Sequence, residues 1–357
     1  MIHRKTRAFS LLLTFLFTFP LLIACSGGKS ADVHVFYYNY SDTYISSVRG
    51  ALDSELSAAG ISYQDYDGAG SQTTQTEQIR TALTKGAKAI LVNIVNTGSD
   101  DAAKEITALA RDAGVPLIFF NREVSDAAIA EFDRCAFVGT RAEEAGILQG
   151  ELIGEYLAEH YDACDLNGDG VISYILFKGE EGNNEAIYRT KYSVEEANAV
   201  LAKKGKQPLR FYDSANPNGY LVDKNGLWSA TAANEYMTTA LTAYNAASNN
   251  MIELVICNND GMAEGAISAL NAAGYNKGKD SPTIPVFGVD ATDAAKNLIK
   301  NGQMTGTIKQ DGAGMAKALL HLAKNVVEGR ELMADTASFT IDEGSRKIRI
   351  HYEKYVG

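Results

Sequence analysis

The segment VPLIFFNRE at residues 115–123 predicts a buried β-strand that ends in polar side chains. Similar apolar runs occur at 33–38, 89–94, 171–177, 252–257 and 284–289. Strands with such continuous apolar sequence are typical of parallel sheets that helices cover on both faces. The pattern therefore predicts an α/β fold with doubly wound parallel sheets.

Amphipathic segments separate these strands and predict helices. They lie at 44–59, 76–85, 100–113, 143–161, 193–204, 229–246 and 262–273. The alternation pauses near Gly139-Thr140 and then resumes, which predicts two domains rather than one. The length of 357 residues agrees with this number, because a domain typically contains about 100–200 residues.

The chain is acidic, with 33 basic residues, 44 acidic residues and a formal charge of -11. Residues 1–24 contain three basic and no acidic side chains, so the remainder is more acidic still. Proteins that bind nucleic acid neutralise phosphate groups with Lys and Arg. The charge therefore argues against nucleic acid as a partner.

Residues 1–24 predict a lipoprotein signal peptide. A short basic start precedes an apolar run at 9–24, which has the length of a secretory signal. Cys25 follows this run and small residues come next, as in the lipobox of bacterial lipoproteins. An ordinary signal peptide with a chance cysteine is the alternative. We expect Cys25 to be lipidated, residues 25–31 to form a tether, and the protein to be anchored to a membrane outside the cytoplasm.

The three other cysteines are Cys135, Cys164 and Cys257. With Cys25 lipidated, an odd number remains, so they cannot all pair with one another. The sequence therefore predicts that disulfides do not hold this fold together.

Polar residues follow several predicted strands at the point where each strand ends. They are Asp42, Asn121, the Asn-Asn-Asp run at 258–260, and Asp290. Ligands of open α/β sheets bind just beyond the carboxyl ends of the strands. A single Asp or Asn there is often only a turn or helix cap. Because the feature recurs in both halves of the chain, we expect one ligand cleft that both halves share.

The segment DLNGDGVIS at 165–173 matches the first nine positions of an EF-hand calcium loop. Its candidate ligands are Asp165, Asn167, Asp169, the Val171 carbonyl and Ser173. Leu176 stands where the loop would have its bidentate glutamate, so a carboxylate from elsewhere must supply those oxygens. We predict a structural Ca²⁺ site, with a chance polar turn as the alternative.

Several longer motifs agree in order and spacing with one known family. They are VPLIFFNRE (115–123), FVGT (137–140), LQGELI (148–153), DLNGDGVIS (165–173), FKGEEG (177–182), ICNNDGMA (256–263) and IPVFGVDA (284–291). Over essentially all of the mature chain, the sequence resembles the galactose- and glucose-binding proteins of the type 1 periplasmic sugar-binding family.

The resemblance implies two doubly wound parallel-sheet lobes joined by a three-segment hinge. The N-terminal lobe would contain 32–139 and 312–343, and the C-terminal lobe 140–310 and 346–357. The crossovers are expected near Gly139-Thr140, at 310–312 and at about 342–347. Such lobes close on a ligand that contacts both of them.

The resemblance also implies the site residues. The sugar contacts fall on Asp42, Tyr44, Asn121, Asn183, Glu185, Arg189, Trp228, Asn259, Asp290 and Gln310. The calcium ligands fall on Asp165, Asn167, Asp169, Val171, Ser173 and Glu253, and Glu253 would replace the missing position-twelve carboxylate.

The chain departs from the family at four sugar contacts. Asn183 stands where the family usually has His, Glu185 where it has Asp, Gln310 where it has Asn, and Tyr44 where it has Phe. An additional segment at 216–226 precedes Trp228. The pocket is therefore expected to keep its polarity and to change its outline.

By resemblance, the protein is a monomeric binding protein that delivers glucose or galactose to an ABC permease, with a chemoreceptor as an additional partner. The main alternative is a protein of the same fold for another monosaccharide, such as a pentose or a signalling sugar. A glycosidase would need two carboxylates placed about the scissile bond. A sugar-responsive repressor would need an N-terminal helix-turn-helix, where this chain has a signal sequence.

Overall fold

The computed structural model describes residues 30–357. The predicted signal peptide at 1–24 and the predicted lipidation site Cys25 lie outside these residues. None of the helices within residues 30–357 is long and apolar enough to cross a membrane.

The strands of the described chain form two sheets. In chain order they are β1 (Val33–Tyr37), β2 (Tyr63–Asp67), β3 (Ala89–Val92), β4 (Leu117–Phe120), β5 (Cys135–Gly139), β6 (Ser173–Lys178), β7 (Arg210–Phe211), β8 (Leu221–Val222), β9 (Leu254–Cys257), β10 (Val286–Asp290), β11 (Gly306–Gln310), β12 (Thr340–Ile341), β13 (Lys347–Arg349) and β14 (Tyr352–Tyr355).

Helices connect these strands and cover the sheets. In chain order they are α1 (Thr43–Ala58), α2 (Gln72–Thr84), α3 (Asp101–Ala113), α4 (Asp126–Ala130), α5 (Ala142–Cys164), α6 (Asn184–Lys203), α7 (Ala230–Ala243), α8 (Asp260–Ala272), α9 (Asp293–Lys300) and α10 (Gly312–Val327).

The first sheet has the strand order β12-β13-β5-β4-β3-β1-β2, and the second has the order β14-β11-β10-β9-β6-β7, with β8 paired to β6. Pairing is parallel except between β12 and β13 and between β11 and β14. The central strands are fully buried because helices pack on both faces. The predicted α/β class with two parallel sheets is confirmed.

The chain passes between the two sheets three times. It crosses after β5, again at Asp311 between β11 and α10, and finally between β13 and β14 at residues 350–351. We call the first sheet with its helices the N-terminal lobe and the second the C-terminal lobe. The third crossover differs from the expected position at 342–347, because Lys347–Arg349 pairs in parallel with Phe137–Gly139 of the first sheet.

One predicted helix is much longer than expected. Helix α6 begins at Asn184 rather than Ser193, since the Asn183 side chain caps it by accepting the Ala186 amide.

Cys135, Cys164 and Cys257 are buried and do not form disulfides with one another.

Helices α5 and α6 pack unusually close through glycines of α5. A Cβ atom at Gly146 would lie 2.4 Å from the Tyr188 carbonyl oxygen, and one at Gly150 would lie 2.5 Å from the Tyr192 carbonyl oxygen. Glycine is therefore required for this helix contact. The first turns of α6 hold Glu185 and Arg189, so the contact also fixes two candidate ligand residues.

We predict that Gly150→Ala destabilises the protein by about 1–3 kcal/mol, because the added methyl group forces the two helices apart. Gly50→Ala is the matched control, since Gly50 lies within α1 and has no atom within 4 Å of the added Cβ. The control is expected to be neutral or to stabilise by up to about 1 kcal/mol through helix propensity. Urea unfolding measures both variants, and an undiminished stability of Gly150→Ala would contradict the packing argument.

Candidate functional site

A small chamber lies between the two lobes. All ten sugar contacts predicted by resemblance line it. They are Asp42, Tyr44, Asn121, Asn183, Glu185, Arg189, Trp228, Asn259, Asp290 and Gln310, and Tyr38, Ile45 and Arg122 complete the lining. Its lining combines aromatic, charged and amide side chains, as the sites of small polar molecules do. The chamber therefore suits one small ligand.

Several lining residues are also helix caps. Asp42 accepts the Ile45 amide at the start of α1, Asn183 caps α6, and Asn259 accepts the Met262 amide at the start of α8. The capping function and a ligand-facing position are therefore compatible at these residues. Capping also fixes each side chain against the end of a rigid helix.

The backbone adopts positive φ angles at three lining residues, namely Asn121 (61°), Trp228 (54°) and Asp290 (124°). Such angles are uncommon for residues with side chains, and they occur often at binding sites. At Asn121, the buried side chain of Asn93 supports the turn. Its amide donates to the Asn121 side-chain oxygen at 3.1 Å and to the Phe120 carbonyl at 3.2 Å.

Sequence reasoning missed Asn93 because it follows directly on an apolar strand and was included in it. Its position could have identified it as a site residue, because it directly follows β3 just as Asn121 directly follows β4.

Arg189 lies at the centre of the polar network. Its guanidinium donates to the Asn258 carbonyl (2.8 Å), the Tyr352 hydroxyl (2.9 Å) and the Gln310 side-chain oxygen (3.4 Å). It lies 4.0 Å from an Asp290 carboxylate oxygen. Burial opposes its charge, but Tyr352, Asp290 and Glu185 together raise the pKa of Arg189. Tyr352 was also missed, because the chain brings it to Arg189 only after the third crossover.

Burial raises the pKa of the Asp290 carboxyl well above its ordinary value, and the nearby charge of Arg189 opposes this shift. Burial likewise raises the pKa of Glu185. Since desolvation disfavours the charged form of a carboxyl group, hydrogen bonds from a ligand would stabilise both carboxylates.

Five buried polar atoms of the lining have no hydrogen-bond partner within residues 30–357. They are Tyr44 Oη, Arg122 Nε, Glu185 Oε2, Arg189 Nε and Gln310 Nε2. Buried polar atoms in folded proteins are nearly always hydrogen-bonded. The set contains donors and acceptors together, so it matches a ligand whose groups can both donate and accept.

Two aromatic rings enter the chamber from opposite lobes. Tyr44 belongs to α1 of the N-terminal lobe and Trp228 precedes α7 of the C-terminal lobe. The Arg122 guanidinium stacks at 4.4 Å over a third ring, that of Tyr38. The Tyr38 hydroxyl in turn donates to Asp42 at 2.6 Å.

Polar contacts join the lobes beside the chamber. Arg122 of the N-terminal lobe pairs with Glu180 of the C-terminal lobe at 2.6 Å. The same Glu180 oxygen accepts the Trp228 indole N–H at 3.3 Å. In addition, the Glu123 amide donates to Glu185 at 3.2 Å. Glu180 was not among the predicted site residues, although it lies in the quoted FKGEEG motif.

The predicted calcium loop has its oxygens turned toward its own backbone. Asp165 accepts the Asp169 and Gly170 amides, and Asn167 also accepts the Asp169 amide. Asp169 accepts the Val171 amide and pairs with Arg210 at 2.6 Å. Asp165, Asn167 and Asp169 therefore share one short turn.

Glu253 lies against this loop although it is distant in sequence. Its carboxylate accepts the Asn167 amide at 3.1 Å and the Ser173 amide at 2.9 Å. Burial raises the pKa of Glu253, and the negative charge of Asp165 adds to the effect. The Ser173 hydroxyl donates to the Met251 carbonyl. In residues 30–357, acidic, His and Cys side chains form no group of three close enough to hold a metal by themselves.

The sequence matches the family model of the periplasmic binding protein domain over residues 33–331. It is 34% identical over 332 residues to the D-galactose/methyl-galactoside binding periplasmic protein MglB of Haemophilus influenzae, covering 92% of this chain and 91% of the relative.

Among solved structures, the chain resembles an ABC transporter solute binding protein from Bacillus halodurans with bound myo-inositol. The TM-score is 0.68 at 24% identity, over 92% of this chain and 96% of the other. A solute binding protein from Clostridium phytofermentans with bound β-D-glucose gives a TM-score of 0.68 at 18% identity, over 91% and 93% of the two chains. At these identities the likeness concerns the fold.

We predict that Glu180→Ala favours a more open arrangement of the lobes, because it leaves the buried Arg122 charge without its partner in the closed form. Glu181→Ala is the matched control, since Glu181 pairs with Lys178 and Tyr220 of its own lobe. Small-angle X-ray scattering should show a larger radius of gyration for Glu180→Ala alone. Equal radii for both variants and the unmodified protein would refute the cross-lobe contribution.

Proposed function

Because the chain belongs to the periplasmic binding protein family and is a sugar-binding protein of ABC importers, we propose D-glucose or D-galactose as its ligand. The observation that carries this proposal is the set of unpartnered donors and acceptors in a chamber that Tyr44 and Trp228 also line. A pyranose has apolar C–H faces and a rim of hydroxyl groups. Rings can cover the faces while charged and amide groups bind the rim.

Each polar group has a defined part in this proposal. Asp290 and Glu185 accept hydrogen bonds from hydroxyl groups, Arg189 donates, and Asn121 and Asn259 can do both. Hydrogen bonds to charged partners contribute about 1.5–3 kcal/mol each. A sugar that leaves one of these buried groups unpaired would therefore be rejected.

The ligand is proposed to bind by closure of the lobes. Asp42, Tyr44 and Asn121 come from the N-terminal lobe, whereas Arg189 and Trp228 come from the C-terminal lobe. Only the closed form makes the full set of contacts, so the ligand shifts the population toward it.

The second candidate is another small polyol or monosaccharide. It is favoured by the four departures in the chamber, at Tyr44, Asn183, Glu185 and Gln310. The Glu185 carboxylate uses one oxygen for the Glu123 amide, so its remaining oxygen alone faces a ligand. The solved relative with bound myo-inositol shows that this fold accepts a different ring.

Binding without hydrolysis is part of the proposal. Two carboxylates would be needed to cleave a glycosidic bond. Asp42 is occupied by the Ile45 amide and the Tyr38 hydroxyl, and Asp290 lies beside Arg189. Both oxygens of Asp42 are thus engaged within its own lobe, and Asp42 is not placed as a general acid.

We propose that the closed complex binds to an ABC permease and that a chemoreceptor is an additional partner. The binding protein is proposed to be a monomer. The lipid anchor at Cys25 rests on the sequence alone. A mature N-terminus without acyl chains in mass spectrometry would exclude it.

We predict that glucose or galactose raises the melting temperature and binds in calorimetric titrations, within a panel that includes pentoses and inositol. Trp228→Ala and Asp290→Ala should each abolish this binding, because one removes a covering ring and the other a buried acceptor. Asp293→Ala is the matched control, since Asp293 is an exposed aspartate of the same segment that pairs with Lys296. If both site variants titrate like the unmodified protein, the assignment fails.

We also propose a structural Ca²⁺ held by Asp165, Asn167, Asp169, the Val171 carbonyl, Ser173 and Glu253. Two features support it, namely the EF-hand spacing and the buried Glu253 carboxylate, which approaches the negative charge of Asp165. A cation there would neutralise these charges and fix the loop to β9, while Arg210 neutralises Asp169 from outside.

EGTA is expected to lower the melting temperature by several degrees and Ca²⁺ to restore it, since saturation at a hundred times the Kd adds about 2.7 kcal/mol. Glu253→Gln should abolish the response. Asp162→Asn, an exposed carboxylate near the loop, should retain it. A melting temperature that neither EGTA nor Ca²⁺ changes would remove the ion from the proposal.

A further inference from the structure

The turn that directs Asp290 into the chamber has an unusual backbone. Asp290 has a φ of 124° and the next residue, Ala291, has a φ of 55°. Two successive residues with side chains rarely adopt positive φ. Such a conformation persists only where neighbouring groups hold it in place.

Two side chains behind the chamber hold this turn, and we call Asp260 and Thr307 the clamp. The Asp260 carboxylate accepts the Thr292 amide at 2.8 Å and the Thr307 hydroxyl at 2.6 Å. The Thr307 hydroxyl accepts the Ala291 amide at 3.4 Å. Both amides that follow Asp290 are thus bonded to the clamp.

Strand β10 leaves room for the Asp260 carboxylate because it has a glycine at position 288. A Cβ atom at Gly288, two residues before Asp290, would lie 2.3 Å from an Asp260 carboxylate oxygen. Asp260 also follows Asn259 directly at the start of α8. Asp260 and Thr307 are fully buried and neither lines the chamber.

We propose that Asp260 and Thr307 are positioning residues that set the orientation of the Asp290 carboxylate, and thereby the affinity for the sugar. The inference rests on the proposed function, since Asp290 must contact the ligand for affinity to respond. Without the clamp, the turn would relax toward negative φ and the carboxylate would leave its place beside Arg189.

Thr307→Val and Thr307→Ser separate positioning from packing. Valine keeps the volume of threonine but removes the hydroxyl group, whereas serine keeps the hydroxyl and removes a methyl group. We expect Thr307→Val to weaken sugar binding at least tenfold. Thr307→Ser should retain an affinity within about twofold of that of the unmodified protein. Thr107→Val is the matched control, since Thr107 is a fully buried threonine of α3 in the other lobe.

A second readout needs no sugar. Hydrogen exchange at the Ala291 and Thr292 amides of the ligand-free protein should be faster in Thr307→Val than in the unmodified protein, Thr307→Ser or Thr107→Val. Equal weakening by valine and serine, or unchanged exchange in Thr307→Val, would overturn the clamp. If the unmodified protein binds no monosaccharide while exchange responds as expected, the proposed function fails and the clamp stands.

Discussion

The structure depends on the burial of the Arg189 guanidinium beside the chamber. A guanidinium removed from water must be compensated by charges and hydrogen-bond acceptors, since an unpaired buried ion costs several kcal/mol. Arg189 obtains this compensation from Asn258 after β9, Asp290 at the end of β10, Gln310 at the end of β11 and Tyr352 at the start of β14. Three of these four residues end or directly follow a parallel strand of the second sheet, so the topology itself brings them around the guanidinium.

Close packing of helices α5 and α6 also helps to position Arg189. Arg189 is held on α6, and α6 can pack this closely against α5 only because α5 presents glycines to it. On the opposite side, the turn after β10 is fixed by bonds to its amides rather than by its own side chains. The polar groups of the chamber are therefore set by packing and backbone geometry at some distance from it. The glycines of α5, which have no functional groups, thus help to determine where the polar side chains of the chamber lie.

Much of the fold could be predicted from sequence, because apolar strands with polar ends leave a strong local pattern. That pattern also indicated Asp42, Asn121, Asn259 and Asp290, whereas the other chamber residues followed from the resemblance to a known family. Residues whose function depends on a neighbouring element could not. Asn93 lies within an apolar run, and its relation to Asn121 exists only once β3 and β4 pair. The third crossover was misplaced because β13 has only three residues, and its place in the first sheet is decided by pairing with β5. Asp260 and Thr307 meet across 47 residues of chain.

Trp228 is the only tryptophan of the chain, and its indole nitrogen shares the Glu180 oxygen that bridges the lobes. Its emission therefore has no background from other indoles. The molecule contains an intrinsic optical probe at the place where its two halves meet. Occupancy of the cleft can be followed in real time on the unlabelled protein, by stopped-flow spectroscopy as readily as at equilibrium.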